Sequence, residues 1–223
     1  MEETYLKSPE TRRDELLAAA EALFRENGVD RTAVSDIVKK TGVSQGTFYN
    51  YYQSKDEIFA AVLEHVSEHT VKEIQKTAER KDLDVTEKIG LISQQDFLMN
   101  RENDPLFDVL HEPRYAYAHQ KYIVSRILLL QPIYAKLIRQ GVEENQFDTP
   151  YPEQVALFLL TATKFVFDPA FFAYSPKEML RMADAVQDIN ERIVGAKPHT
   201  PLPKGLEQGI KNYNGSDRNE SNI

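Results

Sequence analysis

The sequence predicts an all-α protein, with three short helices around a helix-turn-helix at the N-terminus and a larger helical domain after them. Apolar residues recur at helical spacing along most of the chain. Capping signals such as Ser8-Pro9, Ser54-Lys55-Asp56-Glu57 and Ser175-Pro176-Lys177-Glu178 open successive segments. After residue 70 no strand-period segment of convincing length occurs.

In chain order, Ser8 is placed as N-cap with Pro9 at the first helical position. Leu16, Leu17, Ala20, Leu23 and Phe24 then repeat at helical spacing until Asn27-Gly28 ends the first helix. Val34, Ile37 and Val38 share one apolar face of a second, short helix that Gly42 stops, because glycine takes the left-handed conformation a tight turn requires. Val43 anchors the angle between the helices, and Ser44 caps the third. Phe48 and Tyr51 continue the buried side, leaving Gln45, Thr47, Tyr49 and Asn50 on other faces. A polar, hydrogen-bonding helix face at this point suits major-groove reading of double-stranded DNA; the competing interpretation is an ordinary helical hairpin.

The expected interface has Gln45 and Tyr49 nearest base edges or the adjacent backbone, with Gly46 permitting close approach. Thr32, Ser44, Thr47, Tyr51 and Lys55 mainly position phosphate. Lys55 opens a long fourth helix, where a cation does nothing for the helix dipole but can meet a phosphate beside free backbone donors.

The stretches LLAAAEALFRENGVDRTAVSDIV and GVSQGTFYNYYQSKDEIF, joined without insertion, resemble the TetR family of transcriptional repressors through residues 12 to 63. Val38 and Thr41 stand where that family most often has alanine, and Tyr52 where it usually has phenylalanine. The resemblance implies a homodimer formed by the last two large helices, here 152–174 and 176–194. It also implies a small-molecule pocket in the C-terminal helices and repression relieved when a ligand enters it. The rival reading is a helical DNA-binding regulator with no small-molecule effector, controlled by a protein partner.

Composition sets the bounds. Apolar residues make up 41% of 223, enough for a buried core. With no cysteine, disulfides and thiolate metal sites are excluded, and a cytoplasmic location is expected. The most apolar stretch, Val155 to Leu160, meets Lys164 far short of the ~20 residues that cross a bilayer, so no membrane association is expected. A net charge of −8 sits oddly with phosphate binding, and residues 1 to 60 alone hold eight Lys or Arg against eleven Asp or Glu. Any basic surface must therefore be local, around Arg31, Lys39, Lys40 and Lys55.

Further on, the fourth helix is expected to run to about Arg80, and Asp84 with Glu87 caps a fifth. Asp104-Pro105 begins a short one, and a long helix follows Pro113 through Gln140 with Pro132 inside it. Segments from Pro152 to Tyr174, bent at Pro169, and from Pro176 to Val194 complete the set. The domain expectation is 8–53 for DNA binding, with the motif at about 32–52, then 54–195 for regulation and dimerisation, and 196–223 as a Pro-, Gly- and Asn-rich flexible tail.

Fourteen of the 22 aromatic residues fall between Phe97 and Tyr174, a density that fits either a lined cavity or a solid core. With the family's pocket in mind, Phe97, His111, Tyr115, His119, Tyr122, Phe158 and Phe165 are the candidate residues for an apolar or aromatic effector. Arg126, Gln94, Gln95 and Lys164 are further polar groups able to orient it. No metal site is expected, because His111 and His119 lie eight residues apart across Pro113 and lack the i, i+4 spacing of a helix-borne pair. No cofactor is expected, and no nucleophile elbow, phosphate loop or carboxylate pair in a defined context points to an enzyme. The segment PEQVALFLLTATKFVFDPAFFAY is apolar on more than one face. Either a second subunit or the chain's own core covers it, and the expected homodimer interface is 152–194.

Overall fold

A computed structural model describes residues 8–99 and 104–196, with the side chains of 97–99 left out. Among the described residues there are helices and no strands. The helices are α1 (Pro9–Asn27), α2 (Val34–Thr41), α3 (Gln45–Tyr49), α4 (Lys55–Ala78), α5 (Val85–Met99), α6 (Pro105–Asp108), a 3-10 turn at Pro113–Tyr115, α7 (Ala116–Glu143), α8 (Pro152–Val166) and α9 (Pro176–Ile193). None is long and apolar enough to cross a membrane. The expected tail lies, apart from Ala196, outside the described residues.

The caps act as the sequence indicates. Ser8 Oγ accepts from Thr11 N–H at 3.2 Å. Asp84 and Glu87 exchange reciprocal bonds of 2.9 Å, and Ser175 and Glu178 close a second capping box at 2.8 and 3.3 Å. At α4, Ser54 Oγ takes the Glu57 N–H at 3.1 Å, but the Glu57 carboxylate reaches one residue further back, to Gln53 N–H at 2.5 Å. Pro132 sits within α7 without ending it. The segment expected to be helical through Tyr174 stops at Val166. Pro169 cannot donate to a continuing ladder, and Asp168 ends the run by accepting Ala170 N–H at 2.8 Å through its carboxylate and Phe172 N–H at 3.0 Å through its carbonyl.

The described residues form two compact units, one of 8–67 with 104–124 and one of 68–99 with 125–196. That division differs from a boundary at 53/54, because the first half of α4 and the 104–124 segment group with the N-terminal helices. Phe59 of α4 meets Phe24 of α1 edge-on at 5.6 Å and Tyr115 at 5.2 Å. In the second unit Ile74, Val85, Ile92, Leu130, Leu137, Ala156 and Leu160 are buried. Gly141 lies so close to the Phe147 ring that an added Cβ would fall 2.1 Å from it. Gly195, at φ 68°, ends α9 against Asp148, whose N–H donates to Val194 O at 2.8 Å.

Candidate nucleic-acid interface

Helices α2 and α3 are joined by Gly42 at φ 69°, ψ 23°. A Cβ there would meet nothing within 4 Å, so backbone conformation rather than space calls for glycine. Val43 N–H closes the turn on Val38 O at 3.1 Å. Ile37 and Phe48 are fully buried, one from each helix, and fix α3 along the unit's surface. Ser44 Oγ accepts from Thr47 N–H at 3.0 Å, which stabilises a helix of only five residues that would not persist alone.

With Phe48 inside, Ser44, Gln45, Gly46 and Tyr49 face outward. Tyr49 is 52% exposed, its ring held edge-on to Phe48 at 5.3 Å, so a large planar donor stands at the surface in a restrained orientation. Gly46 has room for a Cβ, the nearest atom being Ser44 Oγ at 3.7 Å. The packing of the fold therefore does not require its small size. The Ser44 and Thr47 hydroxyls bond each other at 2.9 Å, and Tyr51 is half-buried. Lys39 and Lys40 are exposed in the last turn of α2.

Two residues expected at phosphate are engaged within the unit in the chain without DNA. Thr32 is 1% exposed, and its hydroxyl donates to Gly28 O at 2.9 Å and Leu23 O at 3.2 Å, satisfying carbonyls at the end of α1. The Lys55 ammonium donates to Val29 O at 2.9 Å and Asp30 O at 3.4 Å. Thr32 from inside the unit and half-buried Lys55 from its edge thus hold the α1–α2 loop through backbone carbonyls.

A third clamp on this loop gave no signal in the sequence. Arg114 binds Asp30 at 2.5 Å, and the Tyr115 hydroxyl donates to the same carboxylate, 85 residues away in the chain. Burial, followed by the bond to Asp30, pushes the Tyr115 hydroxyl well above the usual tyrosine range. Arg25 likewise reaches Asp104 at 2.6 Å.

Tyr52 is 2% exposed, and its hydroxyl has no partner among the described residues. Burial raises its ionisation above the ordinary value. Since a buried hydroxyl without a hydrogen bond costs about 1–3 kcal/mol, Tyr52→Phe is expected to stabilise the protein by about 1 kcal/mol. A melting temperature raised by about 2–4 °C at fixed concentration is the readout, and a lowered one would count against an unsatisfied hydroxyl.

The candidate effector residues divide. Tyr115, Tyr122 and His119 are buried in the first unit and His111 is half-buried. Tyr122 packs on Phe107 at 5.4 Å, while the His111 and His119 rings meet edge-on at 5.1 Å. The 3-10 turn at Pro113–Tyr115 brings these two rings together although they lie eight residues apart in the chain. Phe158 and Phe165 belong to the second unit and are 60% and 42% exposed. The Phe97 side chain lies outside the described residues.

Arg126, Lys164 and Gln95 are engaged within the second unit. Gln95 accepts from Thr77 Oγ1 at 3.1 Å. The guanidinium of Arg126, 1% exposed, holds Asp96 through bonds of 3.1 and 2.7 Å and also donates to Thr70, and Lys164 binds the other Asp96 oxygen. Burial alone would raise the Asp96 carboxyl, yet Lys164 and Arg126 outweigh it and hold it down to about 2. Burial lowers Lys164 below the usual lysine range, with Asp96 offsetting part of the effect.

Residues 16–62 match the family described as bacterial regulatory proteins, tetR family, and residues 99–189 match a tetracyclin repressor-like C-terminal domain. Among curated relatives, the HTH-type transcriptional regulator YvdT of Bacillus subtilis (strain 168) is 34% identical over 90 residues, 40% of this chain and 46% of that protein, so under half of its length is spanned. YfiR of the same organism is 24% identical over 170 residues, 72% and 80% of the two chains. Two solved structures share the fold. RolR with the ligand resorcinol has TM-score 0.62 at 18% identity, covering 87% of this chain and 98% of that one. A regulator from Pectobacterium atrosepticum has TM-score 0.63 at 18% identity, covering 86% and 97%.

Proposed function

The chain belongs to the TetR family of DNA-binding transcriptional regulators, and on that premise we propose a homodimeric repressor that leaves its operator when a small molecule binds. The observation that carries the DNA-reading half is α3 itself, with Phe48 buried, Ser44 capping, and Gln45, Gly46 and Tyr49 facing outward. Gln45 and Tyr49 read base edges or the adjacent backbone, Gly46 admits close approach, and Ser44, Thr47 and Tyr51 orient the phosphates. Two such heads on a two-fold axis match a near-palindromic operator, and residues 152–194 join the subunits.

The effector is an apolar or aromatic small molecule, and His111, Tyr115, His119 and Tyr122 are its nearest candidates to the reading head. The 3-10 turn among them holds Asp30, two residues before the start of the motif at Thr32. A ligand that favours a different setting of that turn shifts the head's population only by its difference in affinity for the two states.

Binding of operator variants by Gln45→Ala and Tyr49→Ala tests the reading. Each loss of a base contact is expected to cost about 1–3 kcal/mol and to relax discrimination at one base pair. Unchanged affinity and discrimination in both variants would remove α3 as the reading element.

A further inference from the structure

We propose that His111 and His119 are the imidazole pair of a transition-metal site, for an ion of the Zn2+ or Ni2+ class. Their rings stand 5.1 Å apart at 74°, and their ligating nitrogens lie within 4.8 Å. Two nitrogens on one tetrahedral ion at about 2.05 Å each are about 3.3 Å apart, so small side-chain rotations bring the pair to bonding distance. The backbone is already set for this. Leu110, beside His111, is 1% exposed, and Ala118, beside His119, is fully buried. Leu110 and Glu112 N–H groups donate to Phe107 and Val109 carbonyls at 3.3 and 3.0 Å, which fixes the turn carrying His111. His119 is 7% exposed in the first turn of α7, so its ring is held by packing rather than free in solvent.

The donor type selects the ion. Imidazole nitrogen suits zinc, nickel and copper, whereas magnesium and calcium require oxygen sets, and a chain without cysteine offers no thiolate to softer ions. Water or oxygen donors complete the coordination.

Between the two histidines lie Arg114 and Tyr115, which bind Asp30 of the α1–α2 loop. An ion that draws the imidazoles together therefore acts on the turn that holds that loop. This consequence rests on the reading that operator release is ligand-driven; the metal site does not.

The test is calorimetric titration of the full-length, chelator-stripped protein with Zn2+, and separately with Ni2+. One ion per chain is expected, with affinity lowered at least about tenfold in both His111→Gln and His119→Gln. His65→Gln, at an exposed histidine beside Glu21, should leave it unchanged. Absence of saturable binding, or wild-type affinity in either variant, overturns the site. Should His119→Gln fail to fold, electron paramagnetic resonance of Cu2+ on the wild type replaces it, with nitrogen couplings from two imidazoles expected and fewer than two overturning the assignment. Operator affinity with and without Zn2+ then separates the two claims. Metal binding that leaves operator affinity unchanged upholds the site and overturns its coupling to the reading head.

Discussion

Asp96→Asn is expected to destabilise the fold by about 3–5 kcal/mol, because it leaves two buried cations facing each other without their shared anion. Arg126 has almost no exposure, and Lys164 and Asp96 retain only 13% and 16% of theirs. Water therefore cannot take over the role of the lost carboxylate. At about 2–4 °C per kcal/mol for a chain of this size, the melting temperature should fall by roughly 10 °C. The pH dependence has a definite sign. The folded-state value of Asp96, about 2, lies below the ordinary carboxyl value, so its contribution is fully present above pH about 4 and is lost as pH falls toward 2. That contribution is on the order of 2–3 kcal/mol. Urea melts of wild type and variant at pH 7, 4 and 3, at one protein concentration, measure both effects. An unchanged midpoint at pH 7, or an acid-labile component equally large in the variant, would show that this cluster does not hold the second unit together.

Leu157→Glu and Phe158→Glu should each separate the subunits of the proposed dimer while leaving the single chain folded. Leu157, Phe158 and Phe165 of α8 are 46%, 60% and 42% exposed, Phe171 and Phe172 just beyond are 54% and 49%, and Ile189 of α9 is 51%. Each large apolar side chain contributes about 1.5–3 kcal/mol when a partner covers it, and an unpaired charge in its place costs several kcal/mol instead. At 1.4 kcal/mol per factor of ten, the dimer should weaken at least about a thousandfold. Sedimentation should then show monomer at micromolar concentration, with operator affinity falling as the two heads lose their fixed spacing. Leu159 is a contrasting position. It is 8% exposed within the chain, so Leu159→Glu should lower the melting temperature of the chain itself. Persistence of a dimer in both surface variants would place the interface away from α8.

The local half of this protein was legible from residue types alone. Ser8-Pro9, Asp84 with Glu87, and Ser175 with Glu178 act as caps because capping involves groups three residues apart, which no tertiary contact is needed to bring together. The turn at Gly42 and the inward side of Phe48 followed from the left-handed conformation and the apolar period, and with them came α3 and its outward face. The early end of α8 is not legible in the sequence, since an apolar run signals burial as readily as helix and only the turn at Asp168 shows where the ladder stops.

What spacing in the chain could not supply was the company each polar group keeps. By itself the sequence determined the helix-turn-helix, the order of the helices and the class of partner, because those depend on neighbours within one or two turns. Only the tertiary structure decided that Thr32 and Lys55 bond carbonyls at the end of α1 and in the loop after it, that Tyr115 meets Asp30 across 85 residues, that His111 and His119 touch, and that Asp96 lies between Arg126 and Lys164. The reason is physical. A buried donor or charge must be satisfied by whatever partner the packed chain brings within about 3 Å, and that partner is selected by the fold as a whole.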